Sequence, residues 1–159
     1  MTTLTVFTPT YNRAHTLRRV AESLQRQTSR DFRWLVVDDG STDDTRNLVN
    51  QWQAAADFEV EYLFQQNRGK HSAHNAAVAR ATTELFVIVD SDDELLPHAV
   101  ELITSTWREM SSGDRATLAG IWTLCADPAG NIIGGPFSQH IFDASLQELR
   151  YKHKPVLMH

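Results

Sequence analysis

A three-layer α/β/α sandwich around a mainly parallel central sheet is the fold class that the sequence predicts. Short runs rich in β-branched and aromatic residues alternate with segments of helical periodicity, an order that is typical of βαβ units. In addition, residues 85–90 contain a continuous apolar run that leads directly into carboxylates. Such a run is typical of a strand that is covered on both faces in a parallel sheet.

The elements are predicted from residue periodicity and from residues that interrupt or cap secondary structure. Pro9 is expected to stop the first strand, because proline cannot donate to a ladder, and Gly40 supplies a sharp turn after the second. Helices are indicated where apolar residues recur at i, i+3, i+4 and i+7, as at residues 17–24. The predicted strands are residues 4–8, 32–37, 60–64, 85–90 and 118–124, and helices are expected near residues 14–27, 45–52, 71–81, 98–112 and 144–152, with a hairpin turn at residues 127–131.

Composition limits the class of protein. The chain has 159 residues, of which 42% are hydrophobic, so we expect a single domain over residues 1–159. The formal net charge of −5 argues against binding along a nucleic-acid backbone, so no nucleic-acid partner is expected. Cys125 is the only cysteine, and neither a membrane-spanning run nor a signal peptide is recognisable. We therefore expect a cytoplasmic protein without a transmembrane segment.

Polar stretches follow the first four predicted strands, at residues 8–13, 38–39, 67–70 and 90–93. Ligands of parallel α/β sheets bind beyond the carboxyl ends of the strands. One site is therefore expected to collect all four stretches. Arg13, Arg68 and Lys70 are the local cations that a phosphate ligand would need there.

The carboxylates of residues 90–94 allow two interpretations. Closely spaced carboxylates need water, donors or a cation, and Mg²⁺ or Mn²⁺ prefers such oxygen ligands. Alternatively, Ser91 and Glu94 have the spacing of a capping box, and Asp92 or Asp93 would cap the helix that Pro97 opens. The residues alone favour neither, whereas the expected convergence of polar stretches favours a functional site.

Two familiar phosphate-binding motifs are excluded. A Walker loop would need glycine where Phe64 stands and serine or threonine where His71 stands. No Gly-x-Gly-x-x-Gly pattern follows the first strand, so a dinucleotide-binding fold is unsupported as well.

Three motifs carry a resemblance to a known family. They are VFTPTYNR at residues 6–13, VVDDGSTD at residues 36–43 and VDSDD at residues 89–93. With these motifs in this order, residues 4–107 closely resemble family 2 glycosyltransferases of the GT-A fold, whose nucleotide-binding half is Rossmann-like. The resemblance implies transfer of a sugar from a nucleoside-diphosphate donor, most often UDP-linked, with inversion and with Mg²⁺ or Mn²⁺.

Carried over by position, the resemblance also implies roles for single residues. Asp39 would accept a hydrogen bond from the nucleobase, Asp90 would contact the ribose, and Asp92 would hold the metal. Arg68 and Lys70 would supplement the metal at the diphosphate. The full predicted set is Thr8, Pro9, Tyr11, Arg13, Asp39, Arg68, Lys70, Asp90 and Ser91 for the nucleotide sugar, with Asp92 for the metal.

No residue is identified as the general base that an inverting transferase needs. Asp114, Asp127, Asp143 and Glu148 follow the third motif, but none lies in a context like that of the family's acidic motif. We therefore expect either the donor-binding part of a longer protein, truncated before the acceptor side, or an abbreviated member that cannot transfer sugar unaided. A non-catalytic nucleotide-binding module and an Mg²⁺-dependent phosphoacceptor domain are the alternatives. The acceptor, whether glycan, lipid or protein, a homo-oligomeric state and a peripheral location at the inner membrane face stay open.

Overall fold

The computed structural model describes residues 2–118, 120–121 and 123–133, and the chain divides into two compact units, Met1–Ala119 and Gly120–His159. The first unit contains a four-stranded sheet of order β3-β2-β1-β4 in which all three pairings are parallel. The elements are β1 Leu4–Thr10, α1 Ala14–Gln25, β2 Phe32–Asp38, α2 Thr45–Ala55, β3 Glu59–Phe64, α3 Lys70–Arg80, β4 Leu85–Ile88, α4 Ala99–Glu109 and α5 Ser112–Thr117.

Helices cover both faces of the sheet, because successive side chains of a strand point to opposite faces. On β2, Trp34 packs against Trp52 of α2 with the two rings tilted, whereas Leu35 and Val37 pack with Ala73 of α3. Helix α1 packs against α2 and so belongs to the same layer. The predicted three-layer sandwich with a parallel sheet is confirmed.

The sheet reverses its direction of growth between β1 and β4. The chain passes from β1 outward to β2 and β3, and then crosses back to add β4 on the free side of β1. Parallel sheets bind ligands at such a switch, beyond the carboxyl ends of the strands. The region beyond the carboxyl ends of β1 and β4 is therefore the place where the topology favours a ligand site.

Pro9 does not end the first strand, contrary to the prediction. Phe7 directs its carbonyl to β4 and Thr10 directs its carbonyl to β2, so the alternate residue Pro9 faces the β4 side. Strand β4 ends at Ile88, opposite Phe7. Since no strand continues beyond Ile88 on this side of β1 within the described residues, the missing N–H of Pro9 removes no ladder hydrogen bond.

The prediction that residues 85–90 form a strand covered on both faces is wrong in two respects. Strand β4 has only four residues, Leu85–Ile88, and it is an edge strand within the part of the chain that the structure describes. Ile88 is 44% exposed, while Val89 just beyond the strand is buried. The apolar run therefore reflects burial on one side and the approach to a buried turn, which composition alone does not distinguish from a central strand.

The second unit contains a small turn structure. The predicted strand at residues 118–124 is absent from its described residues, which are 118, 120, 121, 123 and 124. The predicted hairpin is present as one antiparallel bridge between Ala126 and Ile132, and Asp127 accepts hydrogen bonds from the backbone of residues 129 and 131. The predicted helix at residues 144–152 lies outside the described residues. Among the helices that the structure describes, none combines the length and apolarity needed to cross a membrane.

Candidate nucleotide-sugar site

Four loops meet at the carboxyl edge of the sheet. We name them by the strand that precedes each: the β1 loop (residues 11–13), the β2 loop (39–44), the β3 loop (65–69) and the β4 loop (89–98). Since all four strands are parallel, these loops necessarily lie at the same edge. They contain most of the residues that the sequence predicts for the site.

The end of β1 is buried and its loop is exposed. The side chains of Thr8 and Pro9 lie in the sheet, and the Thr8 hydroxyl accepts a hydrogen bond from the indole Nε1 of Trp34 at 3.0 Å. Tyr11 is 49% exposed. Of the predicted β1 residues, Tyr11 and Arg13 are therefore the ones whose side chains are accessible to a ligand.

The β1 and β2 loops are joined by backbone and side-chain hydrogen bonds. Asn12 N donates to Ser41 Oγ at 2.8 Å, and Thr42 N donates to Asn12 Oδ1 at 2.8 Å. Asp43 Oδ2 accepts from the backbone of Ala14 at the start of α1, at 3.0 Å. These bonds place the starts of α1 and α2 at a fixed separation.

Asp38 and Asp39 follow one another at the end of β2 but differ in role. The Asp38 carboxylate is buried and accepts from Ser41 N at 2.8 Å and from the Tyr62 hydroxyl at 2.5 Å. Burial and the bond to Asp38 raise the pKa of Tyr62 to about 12. Asp38 is thus a structural residue of the turn.

Asp39 anchors the β3 loop. It is 4% exposed, and its Oδ1 accepts from Gln65 Nε2 at 2.7 Å and from Arg68 N at 3.0 Å, while Oδ2 accepts from Gly69 N at 2.7 Å. Burial acts to raise the pKa of Asp39, but these three hydrogen bonds outweigh it and hold the pKa below its usual value. The carboxylate therefore stays ionised and fixed in orientation at neutral pH.

Gly40 allows the β2 and β3 loops to approach one another. Its φ is +89°, a conformation that favours glycine, and a Cβ at this position would stand 2.9 Å from the backbone nitrogen of Asn67. Both conditions require glycine here, so the second motif includes a structural residue whose role is close packing.

The β4 loop carries the acidic residues and two ion pairs. Lys70 Nζ lies 2.7 Å from Asp90 Oδ2, and Arg13 Nη1 lies 3.1 Å from Asp92 Oδ2. Arg68 lies in the adjoining β3 loop, and its exposed side chain makes no hydrogen bond or ion pair within the described residues. The structure therefore brings the predicted cations and the predicted carboxylates to one place.

The ion pairs are weak, and one acceptor is left without a donor. The side chains of Arg13 and Asp92 are 47% and 51% exposed, and ion pairs of this kind contribute at most about 1 kcal/mol. Asp90 Oδ1 is buried and has no hydrogen-bond partner among the described residues. Burial and the neighbouring charges of Asp90 and Asp92 raise the pKa of Asp93. The loop therefore has an excess of negative charge and an unmet requirement for donors.

The capping interpretation of the acidic stretch is wrong. Helix α4 begins at Ala99 after His98, and no side chain caps it. Ser91 is buried beside the turn that the bond from Asp93 N to the Asp90 carbonyl closes, and Glu94 pairs with Arg26 instead of capping a helix. None of these acidic side chains therefore caps the start of α4.

The described residues contain no group of three or more His, Cys, Asp or Glu side chains arranged to hold a metal. A site for Mg²⁺ or Mn²⁺ that uses one or two carboxylates and takes its other ligands from a diphosphate needs no such group. Asp92, with its exposed carboxylate, suits that kind of site. The acidic loop thus fits a metal that arrives with a phosphate ligand, and does not fit a resident metal held by protein alone.

Sequence reasoning did not identify Asn12, Gln65 or Asp43 as site residues. Their roles depend on hydrogen bonds between loops that are far apart in sequence, and no local spacing signals them. Of the acidic residues after the third motif, Asp114 accepts from Ser111 at the start of α5, and Asp127 is occupied by its turn. Asp143 and Glu148 lie outside the described residues. Asp114 and Asp127 thus have structural partners, and neither is assigned as a general base.

Comparison with known proteins identifies the family. A sequence profile of glycosyl transferase family 2 matches residues 5–114, which include all four loops. The chain belongs to glycosyl transferase family 2. Its fold is correspondingly the GT-A fold of structural neighbours such as TarS of S. aureus, and the predicted resemblance is confirmed.

Individual relatives and structures support the same assignment. An uncharacterized glycosyltransferase of Nostoc sp. is 36% identical over 105 residues, which are 66% of this chain and 33% of the relative. TarS of S. aureus (residues 1–349), solved in complex with UDP, has a TM-score of 0.60 at 29% identity and covers 67% of this chain and 32% of its own. The mannosyltransferase PcManGT of Pyrobaculum calidifontis, solved with GDP-Man and Mn²⁺, has a TM-score of 0.54 at 34% identity, over 56% of this chain and 27% of its own. The chain thus spans about a third of the length of these similar proteins.

Proposed function

We propose that this family 2 domain binds a nucleoside-diphosphate sugar, with UDP as the nucleotide, through Mg²⁺ or Mn²⁺ and transfers the sugar to an acceptor with inversion. The observation that carries the proposal is the meeting of an acidic loop and exposed cations at the switch point of the sheet. The solved neighbours that bind UDP, or GDP-Man with Mn²⁺, support the same class of ligand.

The nucleobase is proposed to contact Tyr11 and Asp39. An ionised carboxylate offers about four acceptor positions, and the loop donors occupy three of those of Asp39. One position on Oδ2 is left for an N–H of the base. Tyr11 offers an accessible aromatic face for stacking, since half of its surface is exposed.

The ribose is proposed to donate a hydrogen bond to Asp90. Its Oδ1 is buried and has no donor among the residues that the structure describes, and a buried acceptor left unpaired is unfavourable by roughly 1–3 kcal/mol. A ribose hydroxyl would meet this requirement. Ser91, in the same turn, is proposed to line the pocket beside the ribose.

The diphosphate is proposed to lie between Arg13, Lys70 and the metal that Asp92 would hold. When bound, Mg²⁺ or Mn²⁺ would neutralise the charge that develops on the departing nucleoside diphosphate. Arg13 and Lys70 are held by weak, exposed ion pairs, so each is easily released to the phosphates. Arg68, in the β3 loop just before α3, supplies a further positive charge.

Calorimetric titration of UDP into the protein tests the proposal, first with Mn²⁺ and then with EDTA. We expect binding that depends on the metal and that is lost in Asp92→Ala. Asp57→Ala is the matched control, because Asp57 is also an exposed, ion-paired carboxylate but pairs with Arg30 far from the four loops. It should bind UDP like the unchanged protein.

Two results would contradict the proposal in different ways. Equal binding of UDP with EDTA, or by Asp92→Ala, would eliminate the metal part while leaving nucleotide binding. No binding of UDP, GDP or dTDP under either condition would eliminate the nucleotide-sugar donor altogether.

A further inference from the structure

We propose that Asn12 is a positioning residue of the nucleotide pocket, which locks the β1 loop to the β2 loop and thereby fixes Tyr11. The inference rests on the proposed function, since it concerns how that pocket is held. It starts from the backbone. Asn12 has a φ of +52°, and it is the one non-glycine residue with positive φ among those the structure describes.

The left-handed conformation of Asn12 is unfavourable for most L-amino acids, and asparagine, aspartate and glycine tolerate it best. The β1 loop has only three residues, 11–13, between the end of β1 and the start of α1. Asn12 is at its centre, so its conformation sets the direction in which Tyr11 and Arg13 leave the strand and enter the helix.

Hydrogen bonds on two sides of Asn12 hold this conformation. Its backbone N–H donates to Ser41 Oγ, and its side-chain Oδ1 accepts from Thr42 N, each at 2.8 Å. Ser41 is itself fixed, because its own N–H donates to the buried Asp38 carboxylate. The β1 loop is therefore attached through Asn12 to the rigid end of β2.

Tyr11 depends on this attachment for its position. Its side chain is 49% exposed, and within the described residues it makes no hydrogen bond of its own. It is located by the backbone on its two sides, which are the buried Thr10 and the clamped Asn12. A ring held in place before the ligand arrives loses less conformational entropy on binding. Removing the clamp should therefore weaken nucleotide binding without removing any group that contacts the nucleotide.

Three substitutions at Asn12 separate the backbone from the side chain. Asn12→Asp keeps the tolerance for positive φ and keeps an acceptor for Thr42 N. Asn12→Gly keeps the backbone conformation and removes the acceptor, and Asn12→Ala loses both. In titrations of UDP with Mn²⁺ on the full chain, we expect the dissociation constant of Asn12→Asp to stay within about threefold of the unchanged protein and that of Asn12→Gly to rise roughly tenfold.

A double-mutant cycle with Tyr11→Ala distinguishes positioning from a general structural role. Tyr11→Ala alone should weaken UDP binding. In that background Asn12→Gly should change the affinity by less than about twofold, because the group that Asn12 positions is gone. A residue that only stabilises the fold would produce the same loss in both backgrounds.

The outcomes are distinct. The inference would be overturned if Asn12→Gly or Tyr11→Ala bound UDP with unchanged affinity, or if Asn12→Asp lost as much affinity as Asn12→Gly. It would also be overturned if Asn12→Gly caused an equal loss in both backgrounds. Each of these results would leave nucleotide binding by the unchanged protein intact. Absence of binding of UDP, GDP and dTDP by the unchanged protein would refute the proposed function, and the inference with it.

Discussion

Substitution of Asp39 tests whether its carboxylate organises the β3 loop as well as contributing to a ligand site. In Asp39→Ala, the three donors Gln65 Nε2, Arg68 N and Gly69 N lose their acceptor at once. Hydrogen bonds to a charged acceptor contribute about 1.5–3 kcal/mol each, and a buried donor left unpaired is itself unfavourable. The β3 loop is at the surface, where water can replace some of the lost hydrogen bonds, so we expect the free energy of unfolding to fall by about 2–4 kcal/mol.

The measurement is urea denaturation and thermal unfolding of the full chain. A loss of this size in a domain of about 120 residues should lower the unfolding midpoint by roughly 10 °C. Asp39→Asn should lose about half as much stability. Its amide oxygen can accept the hydrogen bonds that Oδ1 accepts, whereas its NH₂ group would face the N–H of Gly69 and cannot accept from it. Asp57→Ala, which removes one exposed ion pair, should change stability by less than about 1 kcal/mol.

The pH dependence follows from the lowered pKa of Asp39. Because the folded protein holds this carboxyl ionised at a pH where the unfolded chain protonates it, folding is favoured by ionisation. The contribution is complete above the ordinary pKa of about 4 and is lost as pH falls through the folded-state pKa below it. The difference in stability between the unchanged protein and Asp39→Asn should therefore shrink below about pH 4.

A contrary result is easy to recognise. If the free energy of unfolding of Asp39→Ala is within about 0.5 kcal/mol of that of the unchanged protein, the three hydrogen bonds do not hold the β3 loop. Asp39 would then have to be regarded as a ligand residue alone. A stability difference that stays constant from pH 7 to pH 3 would refute the electrostatic part of the argument.

Two further substitutions test the packing and charge of the site. Gly40→Ala should destabilise the fold by about 2–4 kcal/mol in urea denaturation, through strain at positive φ and the clash with Asn67. Gly130 also has a positive φ, of +86°, but a Cβ there would meet open space, so Gly130→Ala should show only the strain of about 1 kcal/mol. Equal losses of stability in the two variants would contradict the close packing at Gly40. Lys70→Ala should change the free energy of unfolding by less than about 1 kcal/mol but weaken UDP binding roughly tenfold in calorimetry. Arg26→Ala, which breaks an equally exposed ion pair, should leave UDP binding unchanged. Equal UDP affinities of the Lys70→Ala and Arg26→Ala variants would argue against a phosphate contact by Lys70.

The sequence by itself determined the layer architecture, the four βα units and the edge of the sheet at which the candidate site lies. These follow from local information, because strand and helix periods are visible in short windows and parallel strands necessarily end at one edge. The three motifs were sufficient to recognise the family, since they consist of consecutive residues.

Errors arose where a residue's environment depends on its neighbours in space. Pro9 continues β1 because β4 ends at Ile88, before the position opposite Pro9, and Ile88 is exposed on its face of β4 although it lies in an apolar run. Neither fact is encoded in the residue or its immediate neighbours. The apolar run at residues 86–89 would have the same composition in a central strand, so its burial could not be deduced from the sequence.

Only the tertiary structure decided how the loops hold one another. Asn12 with Thr42, and Asp39 with the β3 loop, are pairs separated by about 30 residues, and their hydrogen bonds form because the sheet order places consecutive loops side by side. The structure likewise paired Arg13 with Asp92, 79 residues apart, across the switch between β1 and β4. Spacing along the chain carries no signal for such contacts, because they depend on strand order, and strand order is a property of the folded sheet.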